Sequence, residues 1–286
     1  MQIKKAVIPC GGRGTRFLTA TKAIPKEILP VIDTPVLAYI VKEIIESGIN
    51  EIFIILGPGK EAIKKYFTPD KELERAVADK PELFKLLQDI NMNADIRFGV
   101  QNEPRGSGDA IMQARKFTGD EPFCMSNGDD LIVSDIPATL QLSEAYDRNQ
   151  ALIVGVQEVA AEETDKYGII VPTRTDGKTV WCEGIIEKPR TDPPSRLAAL
   201  GRYVLTPDVY GYIENTKAVQ GEIRLTDAIC DMMRDGKVYA YEFDGKRYDM
   251  GDKFGALTAT VDFALRRPEL GAKFRKYLEN ILKNED

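Results

Sequence analysis

The sequence contains no histidine. That absence removes Ser-His-Asp catalysis, imidazole acid–base chemistry and imidazole metal ligation. Any reaction here must run on carboxylates, lysines, arginines, backbone amides and a hard metal ion. Cysteine is scarce as well. Cys10, Cys124, Cys182 and Cys230 are scattered without a C-x-x-C pair, which argues against a disulfide framework or a zinc site. There is no basic excess, since the formal net charge is −6, so no nucleic-acid partner is expected. Long apolar runs are missing too, and the opening MQIKKAVIP lacks the apolar core and cleavage site of a signal peptide. No membrane partner and a cytoplasmic location are therefore expected.

What is present belongs to an ordinary globular protein. At 286 residues, with 43% hydrophobic and 29% charged residues, the chain can bury a substantial core. KKAVIP reads as a buried strand, PVLAYIVKEIIESG as a helix ending at Gly48, and EIFIIL as the next strand. Strand, loop, helix and strand in that order predict a parallel crossover and an α/β sheet. Further strands are expected at DIRFGV, PFCMSN, ALIVGVQ, YGIIVP, TVWCEGIIE, AALGRYVL and VYAYEF. Lys71 to Asn93 reads as helical with a break near Pro81, and Lys253 to Leu282 as amphipathic helices broken near Pro268. Without a repeat, linker or low-complexity segment, residues 1–286 read as a single domain carrying a helical insertion near 71–93 and C-terminal helices at 253–282. Strands cluster in the second half, which implies a mixed sheet. Open sheets of this kind bind ligands beyond the carboxyl ends of their strands.

One such end carries Gly11, Gly12, Gly14, Thr15 and Arg16, with Pro25 and Lys26 following. A glycine-rich turn lets backbone N–H groups point at phosphate oxygens, and nearby cations suit an anionic ligand. Two better-known phosphate motifs fail on spacing. A G-x-G-x-x-G from Gly12 would need glycine where Phe17 stands, and Gly14-Thr15-Arg16 does not supply the Gly-Lys-Ser/Thr of a Walker A loop. A dinucleotide-dependent oxidoreductase is disfavoured accordingly. A second strand end carries MSNGDDLIVSD. A carboxylate there suits Mg²⁺, which prefers one or two carboxylates plus phosphate oxygens and water. Asp129 and Asp130 are adjacent, so in an extended chain they point to opposite sides and only one can bind.

The run GTRFLTATKAIPKEILPVIDTP resembles the signature of bacterial UTP–glucose-1-phosphate uridylyltransferases, a branch of the sugar-phosphate nucleotidylyltransferase family. The resemblance extends through QNEPRGSGDAI, YGII, IIEKP, GEIRLTDAI and YDMG. It implies a Rossmann-like nucleotidyltransferase fold, with a mixed, mostly parallel central sheet flanked by helices. It also implies Arg16 and Lys26 as catalytic phosphate-binding cations, with Lys22 as a weaker candidate. Gly11, Gly12, Gly14, Thr15, Glu27, Gln101 and Gly106 would bind the nucleotide. Among these, Glu27 and Gln101 would present side-chain acceptors and donors to uracil. Gly168, Glu187 and Lys188 would bind the sugar phosphate, and Asp129 and Asp249 would hold Mg²⁺. Asp109 stands where the family commonly has histidine.

The implied reaction is attack of glucose 1-phosphate on the α-phosphorus of UTP, giving UDP-glucose and pyrophosphate. It needs no histidine. A phosphate monoester has a second pKa of about 6, so the nucleophile is already ionised at neutral pH. The same reaction with dTTP or another sugar 1-phosphate, and a non-catalytic nucleotide-sugar-binding regulator, are the alternatives. The family resemblance further implies a homo-oligomer, dimeric or tetrameric.

Overall fold

The first strand, Lys5–Cys10, is KAVIPC, and its apolar side chains are almost wholly buried. It pairs in parallel with Glu51–Leu56 on one side and Phe123–Ser126 on the other. Between the first two runs the helix Val36–Glu46, whose Val36, Leu37, Ile40, Val41 and Ile44 recur at helical spacing and are fully buried. Gly48, with φ of 83°, lies just past its end.

The computed structural model describes residues 3–90 and 94–283. Among them, nine strands form one sheet in the order Asp95–Val100, Glu51–Leu56, Lys5–Cys10, Phe123–Ser126, Leu197–Leu205, Leu152–Glu158, Val238–Glu242, Thr179–Glu187 and Gly168–Asp176. The first four are mutually parallel, while Leu197–Leu205 runs antiparallel to both of its neighbours. Val238–Glu242 is parallel to Leu152–Glu158, and the last two strands form an antiparallel ribbon. The sheet is mixed, as expected; seven of its nine strands point the same way, although its neighbouring pairings divide into four parallel and four antiparallel.

Two apolar clusters sit on the sheet. One packs helices Val36–Glu46 and Ala138–Asn149 against it, the other Ser107–Met112, Val209–Asn215 and Leu225–Arg234. The expected helical stretch at 71–93 forms helices Lys71–Ala76 and Pro81–Ile90; its last residues, 91–93, lie outside the described residues. At the C-terminal end, Lys253–Arg266 and Gly271–Lys283 flank Pro268.

Four parallel strands end side by side. Their carboxyl ends deliver Gly11, Gly57, Gln101 and the Asn127–Gly128–Asp129 turn to one edge of the sheet. A separate two-stranded ladder, Asp130–Val133 with Lys246–Asp249, sets Asp249 opposite Asp130. That register brings a carboxylate from the last quarter of the chain beside the Asp129 turn.

Candidate active site

The glycine turn packs closely against its neighbours. A Cβ at Gly57 would lie 2.8 Å from the carbonyl oxygen of Gly11, and one at Gly12 would lie 3.5 Å from Lys26 Nζ. Gly14 then turns the chain into the short helical turn Thr15–Phe17, held by Thr21 Oγ1 donating to the Gly14 carbonyl at 2.8 Å. Thr15 is exposed on that turn.

Lys26 follows Pro25 in a second short turn, and its ammonium donates to Asp129 Oδ2. Burial works against the charge on Lys26, but Asp129 beside it holds its pKa above the ordinary lysine value. A Cβ built on Gly251 serves as a marker for what converges there. It would lie 2.8 Å from Asp129 Oδ2, 3.0 Å from Asp249 Oδ1 and 3.6 Å from Arg16 Nη1. Arg16 reaches this point across 235 residues, donating to the Gly251 carbonyl at 3.4 Å and lying 3.9 Å from Asp249. Burial and the neighbouring Asp130 and Asp129 push the Asp249 carboxyl upward, against the pull of Arg247. Arg16, Lys26, Asp129 and Asp249 are thus brought together.

Asp130 behaves as alternation predicts and points the other way. It is buried, accepts from Arg247 Nε at 2.6 Å and from Asn127 Nδ2 at 3.0 Å, and Arg247 holds its carboxyl low despite that burial. Arg247 also lies 3.6 Å from Asp249 and stacks its guanidinium 4.7 Å from the Tyr167 ring centroid. Sequence reading missed Arg247. The available signal was its position two residues before Asp249, which places both on one face of a strand.

Glu27 departs from expectation. Its side chain is 1% exposed, and both carboxylate oxygens accept from Lys60 Nζ, at 2.6 and 2.7 Å. Burial pushes its carboxyl up, opposed by Lys60. Consecutive residues of a tight turn face apart. With Lys26 facing the cleft, Glu27 faces inward and cannot present its oxygens to a base. Lys60 carried no sequence signal.

Gln101 is also more constrained than expected. Its Nε2 donates to the Gly106 carbonyl at 3.0 Å and to Asp109 Oδ2 at 2.8 Å, so both amide hydrogens are used. Gly106 adopts φ of 100°, and a Cβ there would meet the Ile223 carbonyl oxygen at 2.4 Å. The 105–108 loop is bolted to the Glu222–Leu225 segment by Ile223 N–H to the Arg105 carbonyl, Gly108 N–H to the Ile223 carbonyl, and Leu225 N–H to Ser107 Oγ. Gly11, Gly12, Lys26, Gln101, Gly106 and Asp129 line one hollow of about 310 Å³. Beyond the glycine turn, a second hollow of about 410 Å³ is lined by Arg13, Lys22, Lys26 and Lys60. Lys22 thus shares that hollow with Gly11, Gly12 and Lys26 and does not line the first one.

Gly168, Glu187 and Lys188 form their own group. Gly168 pairs in register with Glu187, and a Cβ on Gly168 would lie 3.3 Å from Glu187 Oε2. Lys188 has a left-handed backbone, φ 48°, and its ammonium lies 3.4 Å from Glu187. Tyr167 ties this group to the cleft, since its carbonyl accepts from Lys188 N–H at 3.0 Å and its hydroxyl donates to Asp249 at 3.3 Å.

Two carboxylates, two cations and a glycine turn at one sheet edge are what a phosphate-handling site requires. The nucleotidyl transferase family profile matches residues 5–264. The chain belongs to the nucleotidyl transferase family. It is 43% identical to the UTP–glucose-1-phosphate uridylyltransferase of Bacillus subtilis, over 100% of this chain and 99% of that protein. Among solved structures, it is similar to a UTP-bound UGPase from Acinetobacter baumannii, with a TM-score of 0.88 and 35% identity, covering 96% of this chain and 98% of the other. A UDP-glucose pyrophosphorylase complexed with UDP-glucose matches with a TM-score of 0.84 and 36% identity, covering 93% and 100%. This nucleotidyl transferase therefore matches relatives over nearly their whole length.

Proposed function

We propose that this chain transfers a uridylyl group from UTP to glucose 1-phosphate, giving UDP-glucose and pyrophosphate. The observation that carries this reading is the meeting of Lys26, Arg16, Asp129 and Asp249 around Gly251, in a family member aligned end to end with enzymes of that name.

The donor set fits Mg²⁺. Burial, then the neighbouring Asp130 and Asp129, disfavour the charge on Asp249, which a cation beside it would relieve. Asp129 and Asp249 would hold the ion, which when bound supplies charge neutralisation to phosphate oxygens.

The chain's own residues do the rest. Gly11 and Gly12 offer a side-chain-free surface on which the nucleotide lies. Lys26 offsets charge at the reacting phosphorus, and Arg16 offsets the charge that builds on departing pyrophosphate. Glu187 accepts from sugar hydroxyls while Lys188 meets the sugar phosphate. The attacking oxygen arrives ionised, so the protein positions and neutralises rather than removing a proton.

We read the whole chain as a single nucleotidyltransferase domain working in the cytosol, where four free cysteines are at home. Phe254, Leu257, Tyr277 and Leu282, exposed on the two C-terminal helices, support a homo-oligomer that covers them. The reaction is tested by a panel of nucleoside triphosphates and sugar 1-phosphates with pyrophosphate detection. UTP with glucose 1-phosphate is expected to be the preferred pair; release of pyrophosphate from dTTP or another sugar phosphate at higher kcat/KM would reassign the substrate.

A further inference from the structure

The base-side hollow contains an amide with only one way to face. Gln101 is 5% exposed, and its two amide hydrogens go to the Gly106 carbonyl and the Asp109 carboxylate. Turning the amide over would set Oε1 against two acceptors, and neither could donate. The orientation is therefore locked, and Oε1 is the atom left beside Gly11 at the hollow; a Cβ at Gly11 would sit 2.7 Å from it. An uncommitted glutamine can serve a base as donor or acceptor. This one can only accept.

We propose that Asp109 is a specificity-determining residue: by pinning the Gln101 amide, it makes the base subsite an acceptor that takes a pyrimidine bearing a ring N–H and rejects one bearing a ring nitrogen acceptor. The proposal rests on the uridylyl reading above. Uracil carries a hydrogen on N3. Cytosine carries a lone pair there, which would face Oε1 with no hydrogen between them. The Gly106 carbonyl favours the same orientation through one neutral hydrogen bond, and Asp109 adds a second, charge-assisted one that strengthens the lock. Asp109 acts on the base only through Gln101 and is a positioning residue.

The test compares kcat/KM for UTP and CTP, with glucose 1-phosphate, in the full-length wild type and three variants. In Asp109→Ala the amide keeps only its Gly106 partner, and the UTP-to-CTP ratio is expected to fall about tenfold, the value of roughly one hydrogen bond. In Gln101→Glu two carboxylates face each other, and kcat/KM for UTP is expected to fall. Adding Asp109→Asn to Gln101→Glu supplies an N–H donor to the inner oxygen and is expected to restore part of kcat/KM for UTP, while the Gly106 carbonyl still opposes that oxygen. That rescue keeps the proposal testable should Asp109→Ala fold poorly, and the UTP-to-CTP ratio is read beside it because a merely structural role would move both nucleotides alike. An unchanged ratio in Asp109→Ala, or a double variant no better than Gln101→Glu alone, overturns the proposal. A wild type that uses CTP as readily as UTP overturns the uridylyl reading itself.

Discussion

The Lys26 ammonium donates to the Asp129 carboxylate, joining the glycine-rich turn to a strand end 103 residues further along. Both side chains are largely shielded, at 20% and 19% exposure, yet open enough for a ligand to reach them. Removing Lys26 leaves Asp129 able to solvate itself, so the fold should survive. Lys26→Ala is expected to lower turnover at least about a hundredfold, the effect of deleting one stabiliser of developing charge. Steady-state kinetics beside a thermal melt checks this; near-normal turnover in a folded variant would remove Lys26 from the chemistry.

Metal removal should act at the same point. Activity is expected to vanish in EDTA and return with Mg²⁺. Asp129→Asn and Asp249→Asn should each raise the Mg²⁺ concentration for half-maximal activity at least about tenfold, given that even outer partners of a metal ligand change affinity by that much. Titration of activity against Mg²⁺ measures it. Asp130→Asn should leave that midpoint in place, because Asp130 is turned away toward Arg247 and Asn127.

Glu27 and Lys60 form a buried pair next to Lys26 in sequence and space. Lys60→Met strands a carboxylate that is 1% exposed, and the expected loss of stability is about 3–5 kcal/mol. A double variant with Glu27→Gln as well should recover much of it. Urea denaturation of the two variants decides the matter; equal midpoints for Lys60→Met and wild type would show the pair to be dispensable.

Gly106 holds a backbone conformation that side chains rarely adopt, with the Ile223 carbonyl where a Cβ would go. Gly106→Ala must shift the loop that carries the base side of the hollow. At about 1–3 kcal/mol of strain, KM for UTP should rise about tenfold while KM for glucose 1-phosphate changes little. A matched rise in both would place the effect elsewhere.

Much of this was legible in the residues. All nine strands of the main sheet are legible as short runs, eight of them through buried apolar residues and the edge strand Asp95–Val100 through the alternating, half-buried Ile96 and Phe98. The insertion of Leu197–Leu205 between Phe123–Ser126 and Leu152–Glu158 was not legible, since pairing order is a tertiary choice that leaves no local pattern. The helix Ala138–Asn149 was missed because Thr139 and Gln141 interrupt its buried stripe. Leu225, Ala228, Ile229, Met232 and Met233 recur at helical spacing and made Leu225–Arg234 legible, though it was not read. The motifs named Arg16, Lys26, Asp129 and Asp249, which the fold brings together, and Gly168, Glu187 and Lys188, which cluster separately. Glu27 was misjudged because a motif gives residue types but not which way a tight turn faces. The pinned state of Gln101 was hidden because it depends on Asp109, eight residues on and across a loop.

The central claim is that an ionised sugar phosphate displaces pyrophosphate from UTP in one step, held by the glycine turn, Lys26 and Asp129. The most direct measurement is the stereochemical course at the α-phosphorus, followed with a chiral α-thio analogue of UTP and glucose 1-phosphate. Inversion of configuration is the expected result. Retention would mean that a group on the protein is uridylylated first, and would contradict the direct displacement.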